Sequence, residues 1–172
     1  MKERHKKEGI RLMIRDAEVK DAKEILGIYS HYVLDTAVSF EYDVPEVSEM
    51  EKRIRTNSEK YAFLVLEEEG HLLGYAYGSR FRDRKAYERT VEVSVYVHKD
   101  EGNKGYGSAL MKELLMRLKN KGMETAVAIV TSENEKSSRA FPAMGFTYAG
   151  HLPRVGFKFG SWHGINQYFR IL

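Results

Sequence analysis

The chain has 172 residues, no cysteine, three prolines and a formal net charge of +3. That length suits one domain, and a 42% hydrophobic share with 12% aromatics describes a folding chain rather than a disordered one. The missing cysteines exclude disulfides, zinc–thiolate sites and a cysteine acyl-enzyme, and no apolar run reaches the ~20 residues of a membrane-spanning helix.

The charge is unevenly placed. Residues 1–12 hold Lys2, Arg4, Lys6, Lys7 and Arg11 against Glu3 and Glu8, so this leader carries the whole +3 and residues 13–172 are electroneutral. A nucleic-acid partner is therefore not expected, nor is a membrane, and with no secretory stretch the expected location is cytoplasmic. The six histidines are scattered without ligand spacing, so no metal site is expected. No G-x-S-x-G elbow points to serine hydrolysis.

In chain order, a short strand is expected at Ile10–Arg15, followed by a helix over Val19–Asp35 whose apolar face is Ala22, Ile25, Leu26, Tyr29 and Val33. Pro45 opens a second, charged helix to about Asn57. Tyr61–Glu67 and Leu72–Phe81 read as strands joined by a turn at Glu68-Glu69-Gly70-His71. After a polar stretch, Arg82–Arg89, comes a strand at Thr90–Val97, then a helix over Lys104–Lys121 stopped by Gly122. Glu124–Thr131 reads as a strand and Asn134–Met144 as a short helix in spite of Pro142. Phe146–Leu152 and Ile165–Leu172 complete a sheet. Alternating strands and helices in the second half predict an α/β sandwich with a mixed sheet, and Thr90–Thr131 a right-handed parallel crossover.

The stretch richest in chemistry is the strand at 90–97 and the loop after it. Glycines at 102, 105 and 107 lead straight into a helix, in a G-x-x-G-x-G spacing that is neither the dinucleotide fingerprint nor the P-loop. Such a loop caps a helix or, with its amides, cradles an anion. On the strand, Val91, Val93, Val95 and Val97 share one face while Thr90, Glu92, Ser94 and Tyr96 share the other. A polar row on a strand that feeds a parallel crossover points to a crevice.

These residues resemble the acetyl-CoA-binding core of the GNAT acetyltransferases, and in particular the branch that acetylates phosphinothricin, methionine sulfoximine and methionine sulfone. The resemblance is carried by Thr36-Ala37-Val38-Ser39-Phe40-Glu41, Gly74-Tyr75-Ala76-Tyr77, Phe81-Arg82-Asp83-Arg84-Lys85-Ala86-Tyr87 and Thr90 through Val97. It continues with Asn134 and Ser137, Gly145-Phe146, Val155-Gly156-Phe157-Lys158 and Trp162. It implies a central mixed sheet flanked by helices, with splayed parallel strands that bind acetyl-CoA. It also implies direct acetyl transfer to an amine and a homodimer. Carried over residue by residue, it assigns the cofactor to Val95, Tyr96 and Val97, to the loop Gly102, Asn103, Lys104, Gly105, Tyr106, Gly107 and Ser108, and to Asn134 and Ser137. Glu92 becomes the candidate general base, acting through a water. Phe40, Glu41, Arg82, Arg84, Lys85, Ala86, Tyr87, Gly156 and Lys158 become candidate substrate contacts. An arginine fork suits a carboxylate. Core packing is expected for Trp162.

The chain also departs from that pattern. Gly102 stands where the loop normally begins with Arg or Gln, Asn103 where the branch commonly has glycine, and Phe141 where Tyr or His would serve as proton donor to the departing thiolate. Two alternatives follow: a CoA-binding regulatory module without catalysis, or an acetyltransferase for a polyamine, an antibiotic or a protein N-terminus. The Arg82/Arg84 pair favours an anionic small acceptor.

Overall fold

A computed structural model describes residues 12–172, so the expected leader, apart from Leu12, lies outside the described residues. Leu12 itself opens the first strand, β1 (Leu12–Asp16), which pairs antiparallel with β2 (Phe63–Glu68). The seven-stranded sheet runs β1-β2-β3-β4-β5-β7-β6, where β3 is His71–Arg80, β4 Thr90–Val97, β5 Thr125–Thr131, β6 Thr147–Lys158 and β7 Ser161–Ile171. Only β4 and β5 run parallel, joined through helix α3 (Tyr106–Asn120) as the crossover reading requires. Helices α1 (Ala22–Leu34), α2 (Val47–Lys60) and α4 (Glu135–Ala143) complete the fold. No helix among the described residues is long and apolar enough to cross a membrane.

The strand period sorts the core into two layers. On β2, Leu64 and Leu66 pack with Leu110, Met111, Leu114 and Leu118 of α3, whereas Phe63 and Val65 pack with Ile25, Tyr29 and Val33 of α1 and with Met50 and Ile54 of α2. A strand covered on both faces needs apolar residues at every position, which is why Phe63 to Leu66 form an unbroken apolar run. The β2–β3 hairpin turns at Glu69 and Gly70, both at positive φ (51° and 85°), the geometry that suits the sheet's twist.

Two sequence expectations are corrected. The last two strands are longer than their apolar runs, because the β6–β7 hairpin continues to a turn at Phe159 and Gly160. A register shift between Leu152 and Gly156 breaks the alternation that would have marked β6 beyond Leu152. Trp162 is not core: it is 51% exposed, stacked edge-on against Phe157 with the Arg154 guanidinium over its ring. Its position near the hairpin tip places it beyond the reach of any helix layer. Pro142 is accommodated in the last turn of α4. It has no N–H for the carbonyl of Ser138, and the Tyr168 hydroxyl donates to that oxygen instead, at 3.4 Å.

Candidate functional site

β4 and β5 pair only from Thr90–Glu92 against Thr125–Val127, and beyond that they diverge. The divergence leaves the β5-facing edge of Val95–Val97 without a strand partner and opens a cavity of about 410 Å³. Val95, Tyr96, Val97, all seven residues from Gly102 to Ser108, Asn134 and Ser137 line this one cavity. Tyr32, Val38, Glu101, Lys136, Ala140, Phe141 and Met144 complete the wall. Asn103 and Gly105 take left-handed backbone (φ 63° and 80°), turning the chain so that Gly105 becomes the N-cap of α3 with no side-chain cap. Among the described residues, no amide from Gly102 to Ser108 donates to another protein group, and the first bonded amide is that of Ala109, to Gly105. A row of free N–H groups at a helix N-terminus is a site for an anion such as a diphosphate.

Asn134 caps α4 by accepting from the Ser137 amide at 3.1 Å. That bond uses the Asn134 carbonyl and leaves its NH2 group for a ligand. The Tyr32 hydroxyl donates to the Val97 carbonyl, tying α1 to the end of β4. Phe141 is 5% exposed and packs against Phe146 and Tyr168 while touching the cavity, so it supplies wall and no proton.

Further back along β4 the chemistry changes. Glu92 is half-buried and forms no ion pair among the described residues. Burial pushes its carboxyl above the ordinary value of 4.5. It lies three residues before Val95, roughly 10 Å along the strand. The polar row is only half a crevice, because Tyr96 packs edge-on against Tyr29 and Tyr32 of α1 and stacks on Tyr75. A tyrosine can cover apolar surface with its ring while its rim stays polar, so Tyr96 packs against α1 and also lines the cavity.

The remaining candidates separate into two groups. In the loop between α1 and α2, Glu41 is held by Arg53 at 2.6 and 3.0 Å and by the Tyr29 hydroxyl. The Arg53 bond is the main reason its carboxyl sits below the usual range. Phe40 lies on Gly156 so closely that a Cβ there would come within 2.3 Å of the ring. Lys158, 2% exposed, directs its ammonium at the carbonyls of Val33, Thr36 and Ser39 at 2.6, 2.9 and 2.7 Å. The Thr131 hydroxyl donates to Ala37 at 2.8 Å and Tyr42 donates to Phe157. Phe40, Glu41, Gly156 and Lys158 are thus brought together as parts of one stitched loop, and the charges of Glu41 and Lys158 are already engaged by protein groups.

The second group is the β3–β4 connection. Arg82 stands over the rings of Phe81 and Tyr87 at 5.0 and 5.7 Å, while Arg84, Lys85 and Ala86 are exposed. Arg84 precedes the single 3-10 turn Lys85–Tyr87. This loop makes no hydrogen bond or ion pair with Glu41 or Glu92 among the described residues, but it leads straight into β4 two residues before Glu92.

Sequence reasoning missed Tyr32, Val38, Arg53 and Lys136. Residues 137, 140, 141 and 144 recur at helical spacing, so the cavity-facing side of α4 was readable once Asn134 was placed. Arg53 gave no signal, since it is one charge on a helix full of charges. A larger groove of about 650 Å³ runs along α1 past His71 and His98, and none of the sequence-derived site residues line it.

Comparison with known proteins gives a consistent result. A family model described as an acetyltransferase (GNAT) domain matches residues 14–165. The phosphinothricin N-acetyltransferase of Alcaligenes faecalis is 38% identical over 151 residues, covering 87% of this chain and 77% of that protein. The L-methionine sulfoximine/L-methionine sulfone acetyltransferase of Salmonella typhimurium is 34% identical over 155 residues, covering 88% and 89%. Among solved structures, a GNAT superfamily phosphinothricin acetyltransferase from Sinorhizobium meliloti in complex with AcCoA superimposes with a TM-score of 0.90 at 34% identity, covering 94% of this chain and 88% of that one.

Proposed function

The chain belongs to the GNAT acetyltransferase family, and on that premise we propose that it moves the acetyl group of acetyl-CoA directly onto the amine of a small amino-acid-like acceptor, with Glu92 as the base. Acetyl-CoA supplies an activated acetyl thioester when bound. The residues of the cavity fit such a ligand: free amides and a helix N-terminus for the diphosphate, an unpaired strand edge for the amide-bearing arm, and apolar wall from Phe141 and Met144.

The observation that carries the reading is the state of Glu92. The incoming amine is an ammonium near neutral pH and cannot attack until it loses a proton. A half-buried carboxylate without a cation partner, its proton affinity raised by burial, is suited to take that proton directly or through a water. An arginine partner would have indicated a structural carboxylate, and none is present among the described residues. Main-chain groups of Val95–Val97 orient and polarise the thioester carbonyl. The loop of Arg82, Arg84 and Tyr87 receives the acceptor's acidic end, and Phe40 on Gly156 forms the opposing wall. Phosphinothricin and methionine sulfone or sulfoximine, the substrates named for its relatives, head the acceptor classes.

The proposal includes a homodimer and a cytoplasmic location. The dimer is supported by exposed apolar side chains on the β6–β7 hairpin, and the location by the need for acetyl-CoA. Thiol release from acetyl-CoA against a panel of phosphinothricin, methionine sulfone, methionine sulfoximine and the common amino acids tests the function. Acceptor-dependent release with the amino-acid analogues is the expected result. CoA binding without release for any amine would make the chain a binding module instead.

A further inference from the structure

The glycine loop has a feature that its backbone does not require. Gly102 adopts φ −65° and ψ 157°, a conformation open to every residue, so no left-handed turn explains a glycine there. The Lys136 Nζ stands beside it, 3.1 Å from where a Cβ at Gly102 would lie. Lys136 reaches this point from the first turn of α4, across the cavity that both residues line.

Three further observations bear on what this ammonium does. Lys136 is exposed and has no carboxylate partner among the described residues. The other cation on the cavity wall, Lys104, is engaged by Glu101 at 2.5 Å, so its charge is locally neutralised. A cation in the first turn of a helix opposes the helix dipole, so Lys136 does not help α4 itself. The ammonium therefore stands beside Gly102 in the cavity lined by the loop, with no carboxylate partner among the described residues.

We propose that Lys136 is the phosphate-binding cation of the site, pairing with the diphosphate of CoA from the α4 side of the loop. The inference rests on assigning the cavity to acetyl-CoA.

Calorimetric titration with CoA and with 3′-dephospho-CoA tests this without turnover. Lys136→Met is expected to weaken both ligands alike, by about tenfold, as loss of one charge-assisted bond implies. Lys136→Arg is expected to retain affinity, and both variants should keep the wild-type melting temperature because the side chain is exposed. Unchanged CoA affinity in Lys136→Met overturns the lysine's role alone. Loss confined to CoA, with 3′-dephospho-CoA unaffected, overturns the diphosphate assignment in favour of the 3′-phosphate. Wild-type protein with no affinity for CoA overturns the cavity assignment together with the inference.

Discussion

At the scale of one residue, Glu92 sets two expectations that pull in opposite directions. As the base, its replacement in Glu92→Gln should lower kcat by about a hundredfold or more while CoA binding stays intact, because one proton-transfer group contributes that much. The wild-type kcat/KM should rise with pH through an apparent pKa above 4.5, and that limb should vanish in the variant. The same burial destabilises the fold. A carboxyl whose folded-state pKa is raised binds its proton more tightly in the native chain than in the unfolded one. Stability is therefore lost as pH rises from about 4.5 through the folded-state value. Glu92→Gln should accordingly melt higher than wild type at neutral pH, with the difference closing below pH ~4.5. Thermal melts across that range check the sign. A variant that melts lower at pH 7 would mean that the carboxylate is a structural group. Glu92 was legible in the sequence because a polar residue on a central strand contradicts its surroundings. Lys136 was not, because an exposed lysine on a short helix contradicts nothing until its place beside Gly102 is seen.

At the scale of elements, a buried ammonium gathers the α1–α2 loop, alongside its ties to Arg53, Thr131 and Phe157. Lys158 sits at the C-terminal end of β6 and reaches three carbonyls, one of them Val33 in the last turn of α1, where a cation also complements the helix dipole. Lys158→Met keeps the stem and removes the donors, leaving three carbonyls without partners. A loss of roughly 3 kcal/mol or more in unfolding free energy is expected, given about 1–3 kcal/mol for each buried group left unsatisfied. The loop carries Val38 at the cavity proposed for acetyl-CoA and Phe40 on Gly156, so the acceptor KM should rise more than kcat falls. Denaturant melts and steady-state kinetics read the two effects separately. A change in stability without any change in KM would confine Lys158 to folding. The sequence showed α1 and α3 through their regular apolar faces, α2 through Pro45 at its start, and β2 to β5 as apolar runs between turns. It hid the tie between Lys158 and α1, which joins positions 125 residues apart and has no local pattern. It also hid the outer halves of β6 and β7, where one strand is interrupted by a bulge and carries no alternation.

At the scale of the whole molecule, the sheet is unevenly covered. Its β2 to β4 region has helices on both faces, whereas the β6–β7 hairpin extends past them with Tyr148, Leu152, Val155, Phe157, Phe159 and Trp162 all exposed. So many exposed apolar side chains on one hairpin are uncommon on a monomer, and β6 is also an edge strand of the sheet. A second copy of the chain is the occupant that the dimer proposal requires, and it would bring two hairpins together close to Gly156 of the proposed acceptor wall. Light scattering should then give about twice the 19.9 kDa of one chain. Val155 provides a clean probe: it lies within the register shift of β6, has no cross-strand partner and is 48% exposed, so an aspartate there leaves the ladder and the core untouched. Val155→Asp should yield a monomer with an unchanged melting profile at low protein concentration, because burying a carboxylate between two apolar hairpins costs more than a typical rim contact returns. A wild-type protein that remains monomeric at tens of micromolar would remove the dimer. The acceptor wall would then be complete within one chain, built by Phe40 and Gly156 alone.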